Sequence, residues 1–176
     1  RLGTEREIII IERGEHVSFA NCGLPYYIGG VIEKESSLLL ATPELFRTRY
    51  GINVLLQHEV YSIDPQQRTV GVTNLVTGEK MQMPYDELVL SPGAAPLRPP
   101  MPGVDLPGGL TMRTVPDANA IRRYIAEHKV RHALIIGAGF IGLEVAENLQ
   151  LAGIEVSLVE GGSHVLPPLD GHMSTY

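Results

Sequence analysis

Two stretches of the chain share one pattern of apolar and charged positions. Glu7-Ile8-Ile9-Ile10-Ile11-Glu12-Arg13-Gly14 and Glu155-Val156-Ser157-Leu158-Val159-Glu160-Gly161-Gly162 both read acid, four strand residues, acid, any residue, glycine. Short apolar runs bounded by polar residues and glycine predict buried strands. The match reads as an internal repeat, although Ile8 to Ile11 taken alone also fits a single unrelated buried strand. A third apolar run, His132 to Ile136, leads straight into glycines and then into a helical pattern over Leu143–Leu151.

The rest of the pattern is read coarsely. Thr42-Pro43-Glu44 supplies a cap and a proline at the first helical position, predicting a helix that continues to Tyr50. Ile52–Leu56, His58–Ile63, Thr69–Leu75 and Met81–Pro84 read as short strands, with a hairpin turn at Thr77-Gly78. Tyr85 to Ala94 predicts a further buried strand, Leu88-Val89-Leu90, ending in a glycine turn. The Pro-rich stretch from Pro96 to Pro107 marks a linker before a helix starting near Asp117, which divides the chain into 1–107 and 108–176.

The third run carries recognisable chemistry. Strand, Gly137-Ala138-Gly139-Phe140-Ile141-Gly142 and helix form the whole context of a dinucleotide fingerprint, which a bare glycine match lacks. Gly137 permits the tight turn, Gly139 lets the backbone approach a pyrophosphate, and Gly142 lets the helix pack close on the strand. Phe140 and Ile141 occupy the positions between the second and third glycines of this turn. Glu160 follows Gly142 by 18 residues, near the spacing of a carboxylate that binds the adenosine ribose. An acid there would repel a 2′-phosphate, so the expected nucleotide is NADH rather than NADPH. If the repeat holds, Glu12 needs its own glycine turn upstream of Arg1, and the chain is expected to begin inside a first nucleotide-binding unit.

Cys22, the single cysteine, lies in Ser18-Phe19-Ala20-Asn21-Cys22-Gly23-Leu24-Pro25-Tyr26-Tyr27-Ile28-Gly29-Gly30, read as a strand exit followed by a helix start. A thiolate at a helix N-terminus is stabilised by backbone N–H groups. A free cysteine also serves as a small packed hydrophobe, and position alone leaves both readings open. One cysteine excludes an internal disulfide framework and fits a reducing compartment. The 176 residues carry a formal charge of −6, with no basic cluster for nucleic acid and no apolar run of membrane length. His128 and His132 are separated by a helix end and a strand start, which argues against a shared metal site. Tyr26 and Tyr27 read as packing or ligand-facing residues.

The Ser18 to Tyr26 run, Leu88-Val89-Leu90-Ser91-Pro92-Gly93-Ala94 and the Gly137–Glu144 fingerprint, in this order, resemble the flavin-dependent pyridine nucleotide-disulfide oxidoreductases. Within them the chain resembles the single-cysteine branch, and most closely the coenzyme A-disulfide reductases, including forms fused to rhodanese domains that act on CoA persulfides. Asn21 favours that choice, because NADH oxidases and peroxidases of the branch look more like Ser-Cys-Gly there. The resemblance implies an α/β fold of two Rossmann-like units, one FAD-type and one NAD-type, both incomplete here. It implies electrons passing from NADH through FAD to Cys22, with coenzyme A as substrate or mixed-disulfide partner. Asn21 and Cys22 are then the catalytic pair, Ser18, Asn21 and Arg49 meet the CoA arm, and Glu12 with Arg13 meets the FAD ribose. Val60 lies by the adenine, Ser91 and Gly93 by the flavin diphosphate, Phe140 over the nicotinamide site and Glu144 near the flavin. Such proteins are several hundred residues long, so this chain is expected to be a fragment, inactive alone, of a cytoplasmic homodimer. A CoA-independent oxidase or peroxidase of the same fold, or a noncatalytic nucleotide-binding module, are the alternatives.

Overall fold

The computed structural model describes residues 6–175. In chain order its elements are β1 (Ile8–Glu12), β2 (Ser18–Phe19), α1 (Leu24–Ile28), β3 (Leu39–Ala41), α2 (Pro43–Leu45), β4 (Ile52–Leu56), β5 (His58–Asp64), β6 (Thr69–Asn74), β7 (Lys80–Pro84), α3 (Val115–His128), β8 (His132–Ile136), α4 (Phe140–Leu151) and β9 (Glu155–Val159). The fold is α/β. Packing groups the described residues into two compact units, one running to Phe19 and resuming over Leu39–Ala94, the other made of Ala20–Leu38 with Ala95 onward.

In the first unit β1 and β4 pair in parallel over five positions, from Ile8 opposite Ile52 to Glu12 opposite Leu56. Parallel pairing is the arrangement expected of a nucleotide-binding sheet. The short β2 and β3 pair antiparallel, with Ser18 opposite Ala41. The strands β5, β6 and β7 form an antiparallel meander centred on the buried Val70 and Val72. Its turns close locally: the Asp64 carboxylate accepts from Gln66 and Gln67 N–H, and the Asn74 side chain from Val76 and Thr77 N–H.

The burial expected of Ile8–Ile11 is not met, since Ile8 and Ile9 are exposed and Ile10 and Ile11 half-buried. Two expectations about elements also fail in this unit. The helix after Thr42 starts as predicted, with the Thr42 hydroxyl accepting from Leu45 N–H at 3.2 Å and Pro43 at its first position. It then widens into a π-helical turn over Phe46–Tyr50, ended by Gly51 in the left-handed region. The Thr48 hydroxyl donates to the Glu44 carbonyl at 2.8 Å, competing for the acceptor that an α-helix would offer to the Thr48 N–H. The second failure is the predicted buried strand at Leu88–Leu90. That segment is irregular, and Val89 and Leu90 are exposed. An apolar run becomes a buried strand only where another strand takes its backbone groups, and among the described residues none pairs with it. Gly93 does adopt the positive φ, 72°, expected of its turn.

In the second unit β8 and β9 also pair in parallel over five positions, His132 opposite Glu155 to Ile136 opposite Val159. The expectation that these strands are buried is not met: Ala133, Ile135, Val156 and Leu158 on one face are only half-buried. Leu134, Ile136 and Val159 are each more than half exposed, because a two-stranded sheet contacted by α4 leaves its other face uncovered. α3 begins two residues earlier than predicted. Thr114 is its cap and Asp117 its third residue, and the two side chains form a reciprocal capping box. α4 likewise begins at Phe140, directly after Gly139 as cap, rather than at Leu143. α1 packs against both α3 and α4, and Leu24, Ile28, Val115, Ala118, Leu149 and Ile154 form the core around them. Among the described residues no helix is long and apolar enough to cross a membrane.

Candidate functional site

The glycine turn between β8 and α4 is built for close approach. Gly137 sits at φ 105°, a conformation that residues with a Cβ rarely adopt, and its N–H donates to the Val159 carbonyl at 2.8 Å. A Cβ at Gly142 would collide with the Gly137 carbonyl oxygen and stand 3.5 Å from Ile135 Cγ2, so the first turn of α4 lies directly on the end of β8. Nothing stands within 4 Å of the Cβ positions of Gly137 and Gly139, which leaves their outer side open. Gly139 caps α4 without a side chain, so no cap side chain covers the first N–H groups of the helix. Free N–H groups at the positive end of a twelve-residue helix, reached across bare glycines, fit a pyrophosphate. Phe140 and Ile141 are exposed beside this turn, and Glu144 is half-buried one turn further on.

Glu160 meets the turn from the end of β9. One carboxylate oxygen accepts from Ala138 N–H at 2.7 Å and the other from Gly162 N–H at 2.7 Å. The Ala138 N–H, then those of Gly162 and Gly161, and the nearby His164 hold the carboxyl below its ordinary pKa, against a smaller opposing effect of burial. Glu160 is thus an anion held beside the phosphate turn. The Ala138 contact was not legible in the sequence; the only signal was a small residue between two glycines.

The other unit repeats part of this geometry. Glu12 ends β1, and its carboxylate accepts from Gly14 N–H at 2.7 Å. Arg13 forms an exposed ion pair with Glu59 at 3.3 Å, and Val60 is a half-exposed residue of β5. Arg47 is engaged by Glu44 at 2.7 Å, whereas the Arg49 guanidinium lies 5.6 Å from the centre of the Tyr50 ring. Ser18 is half-buried in β2, and Ser91 and Gly93 lie in the exposed irregular segment.

Cys22 is exposed and free, at the middle of the single 3-10 turn Asn21–Gly23 that runs into α1. The packed-hydrophobe reading does not describe it. Asn21 is exposed beside it. The Gly23 N–H donates to the Ala20 carbonyl at 2.9 Å, and Ala20 N–H donates to the Leu38 carbonyl at 2.7 Å, closing residues 20–38 into a loop that carries the thiol. His128 stacks on Tyr124 at 4.0 Å, while His132 meets the Ser157 hydroxyl at 2.8 Å on β9.

An exposed thiol in an Asn-Cys-Gly turn, a dinucleotide turn and a repeated acid-ended strand occur here in one chain. The model of the pyridine nucleotide-disulphide oxidoreductases matches residues 1–176. The chain belongs to this family. Over 174 residues it is 40% identical to the coenzyme A disulfide reductase of Staphylococcus haemolyticus, covering 99% of this chain and 39% of that protein. Reduced CoADR-RHD of Bacillus anthracis superposes with a TM-score of 0.94 at 47% identity, covering all of this chain and 32% of that one. A NAD-dependent persulfide reductase from A. fulgidus follows with a TM-score of 0.89 at 35% identity, covering 96% of this chain and 31% of that one. The chain therefore spans about two-fifths of its curated relative, 39%, and the family fold accounts for its two parallel strand pairs.

Proposed function

We propose that this chain is the cysteine-bearing, nucleotide-binding part of a flavoprotein that uses NADH to reduce CoA disulfide or CoA persulfide at Cys22. The observation that carries the reading is the exposed Cys22 thiol in its Asn21–Gly23 turn, on a chain that also holds a dinucleotide turn. The similarity to a coenzyme A disulfide reductase and to a persulfide reductase supports the substrate class. Residues 1–107 serve the flavin side and 108–176 the nicotinamide side, and the whole protein works as a cytoplasmic homodimer.

In this reading the Cys22 thiolate attacks one sulfur of CoA disulfide. The S–S bond breaks, CoA thiolate leaves, and a Cys22–CoA mixed disulfide forms. One NADH and one proton then convert that mixed disulfide to the Cys22 thiol and a second CoA thiol. Bound FAD would supply the two-electron carrier between nicotinamide and sulfur. The bare N–H groups after Gly139 would hold the NADH pyrophosphate, and Glu160 would accept from the adenosine ribose and repel a 2′-phosphate, which favours NADH over NADPH. Glu12, Arg13, Val60, Ser91, Gly93 and Glu144 would face FAD, Phe140 and Ile141 the nicotinamide nucleotide, and Ser18, Asn21 and Arg49 the CoA arm.

Intact mass of the full-length protein from its native source, before and after reduction, tests the reading. A reducible adduct of CoA mass on the Cys22 peptide is expected, and Cys22→Ser should lower CoA-disulfide turnover by roughly a thousandfold while leaving bound flavin in place. A single added oxygen on Cys22 without CoA would point to an oxidase or peroxidase instead. Unchanged turnover in Cys22→Ser would overturn the proposal.

A further inference from the structure

One side chain of α3 ties the loop that carries Cys22 at two places. Asn119, on α3, accepts at Oδ1 from the Tyr27 hydroxyl at 2.8 Å and donates from Nδ2 to the Glu35 carboxylate at 2.7 Å. Both partners follow the cysteine in the chain: Tyr27 lies in the helix that leaves its turn, and Glu35 in the turn that closes the loop back on Ala20. Tyr27 belongs to α1, which continues from the Cys22 turn without a break, and its ring is buried. Glu35 opens the 3-10 turn Glu35–Leu38, whose last carbonyl takes the Ala20 N–H two residues before Cys22. The fully buried Leu38 side chain also packs on Gly23, where a Cβ would come within 2.8 Å of Leu38 Cδ2.

α3 makes a second tie on the same face. Arg122, three residues on from Asn119, lies 4.2 Å from the centre of the Tyr27 ring and donates to the Glu33 carbonyl at 3.2 Å. Apolar packing of α1 on α3 would resist separation of the helices but would leave their register soft. An amide that accepts from Tyr27 and donates to Glu35 fixes both, because only one placement satisfies both hydrogen bonds.

We propose that Asn119 is a positioning residue for Cys22, tying α1, through Tyr27, to the Glu35 turn that closes the cysteine loop, and so setting where the thiol stands. The inference rests on the redox role proposed above for Cys22. It does not depend on the identity of the disulfide that Cys22 attacks.

The test is a double-mutant cycle in the full-length flavoprotein with Tyr27→Phe, Asn119→Ala and both together. The conservative Tyr27→Phe keeps the buried ring and removes only the hydroxyl. The first readout is the alkylation rate of reduced Cys22 by iodoacetamide across pH, which needs no turnover and stays informative if CoA disulfide proves not to be the substrate. Each single variant should shift that rate by about threefold or more, and the double should be no worse than the stronger single, as expected of residues acting through one contact. With CoA disulfide, kcat should fall about tenfold while KM for NADH stays unchanged. Alkylation rates within twofold of the parent in both single variants, even with a lowered melting temperature, would overturn the proposal, and so would effects that simply add. Failure of the parent protein to turn over CoA disulfide would count against the functional reading alone.

Discussion

Glu12 is the last residue of the five-residue β1 and Glu160 directly follows the five-residue β9, and each accepts an N–H, at 2.7 Å, from the glycine two residues later. In both places a Cβ on that glycine would stand close to the carboxylate oxygen, at 3.1 Å for Gly14 and 3.2 Å for Gly162. The shared geometry is therefore local, set by the acid and the glycine and not by the strand beside them. Among the described residues the two differ in a second contact. Glu160 also takes the Ala138 N–H, inside a glycine turn that ends the neighbouring strand β8. β1 is paired instead with β4, which ends without such a turn, at Gln57, whose N–H donates to the Gly14 carbonyl at 3.0 Å. Among the described residues, the Glu160 carboxylate takes N–H groups from two glycine-containing segments and the Glu12 carboxylate takes that of Gly14.

The largest expected effect breaks the half that has the turn. Gly142→Val puts a branched side chain where even a Cβ collides with the Gly137 carbonyl, so β8 and α4 must separate. In the full-length protein KM for NADH should rise roughly a hundredfold, and stability should fall by about 1–3 kcal/mol, as for other overpacked sites. Bound flavin, read from visible absorbance, should be unchanged. Loss of flavin with NADH affinity intact would mean that the two nucleotide roles have been assigned the wrong way round.

A smaller and crossed effect compares the acids directly. Glu160→Gln removes a charge-assisted acceptor and should weaken NADH by roughly tenfold, narrowing the preference over NADPH. Glu12→Gln should leave NADH affinity alone and lower the fraction of protein that retains FAD. Nucleotide titration and flavin content read the two outcomes separately, and the same phenotype from both variants would dissolve the comparison.

These features differ in how far they were legible beforehand. The glycine turn, the strand on each side of it and the acid-ended repeat are set by neighbours in sequence, and the spacing of Gly137, Gly142 and Glu160 carries them. The meander from His58 to Pro84 was legible for the same reason, since Asp64 and Asn74 close its turns with their own side chains. Leu88–Leu90 was misread because a strand is completed by its partner, and partners are not visible in a local window. The π turn at Phe46–Tyr50 depends on where one hydroxyl, that of Thr48, sends its hydrogen bond. Asn119 gave no signal at all. It is one polar residue on an amphipathic helix, and its role comes from Tyr27 and Glu35, each more than 80 positions away in the chain.

The smallest effect sharpens the comparison through pH. Folding lowers the pKa of Glu160, first through the Ala138 N–H, then through those of Gly162 and Gly161 and through His164. A carboxylate shifted in that direction binds fewer protons folded than unfolded. Its stabilising contribution is fully present above the ordinary carboxylate range and is lost as pH falls through the lowered folded value. The gap in melting temperature between the parent protein and Glu160→Gln should therefore be constant near neutrality and close as pH falls below the ordinary carboxylate range. Added salt should shrink the His164 share of that gap while leaving the N–H share in place. A gap that persists unchanged to the acid end would show that Glu160 is held by its position alone, and the distinction from Glu12 would then rest on the Ala138 contact as geometry without charge.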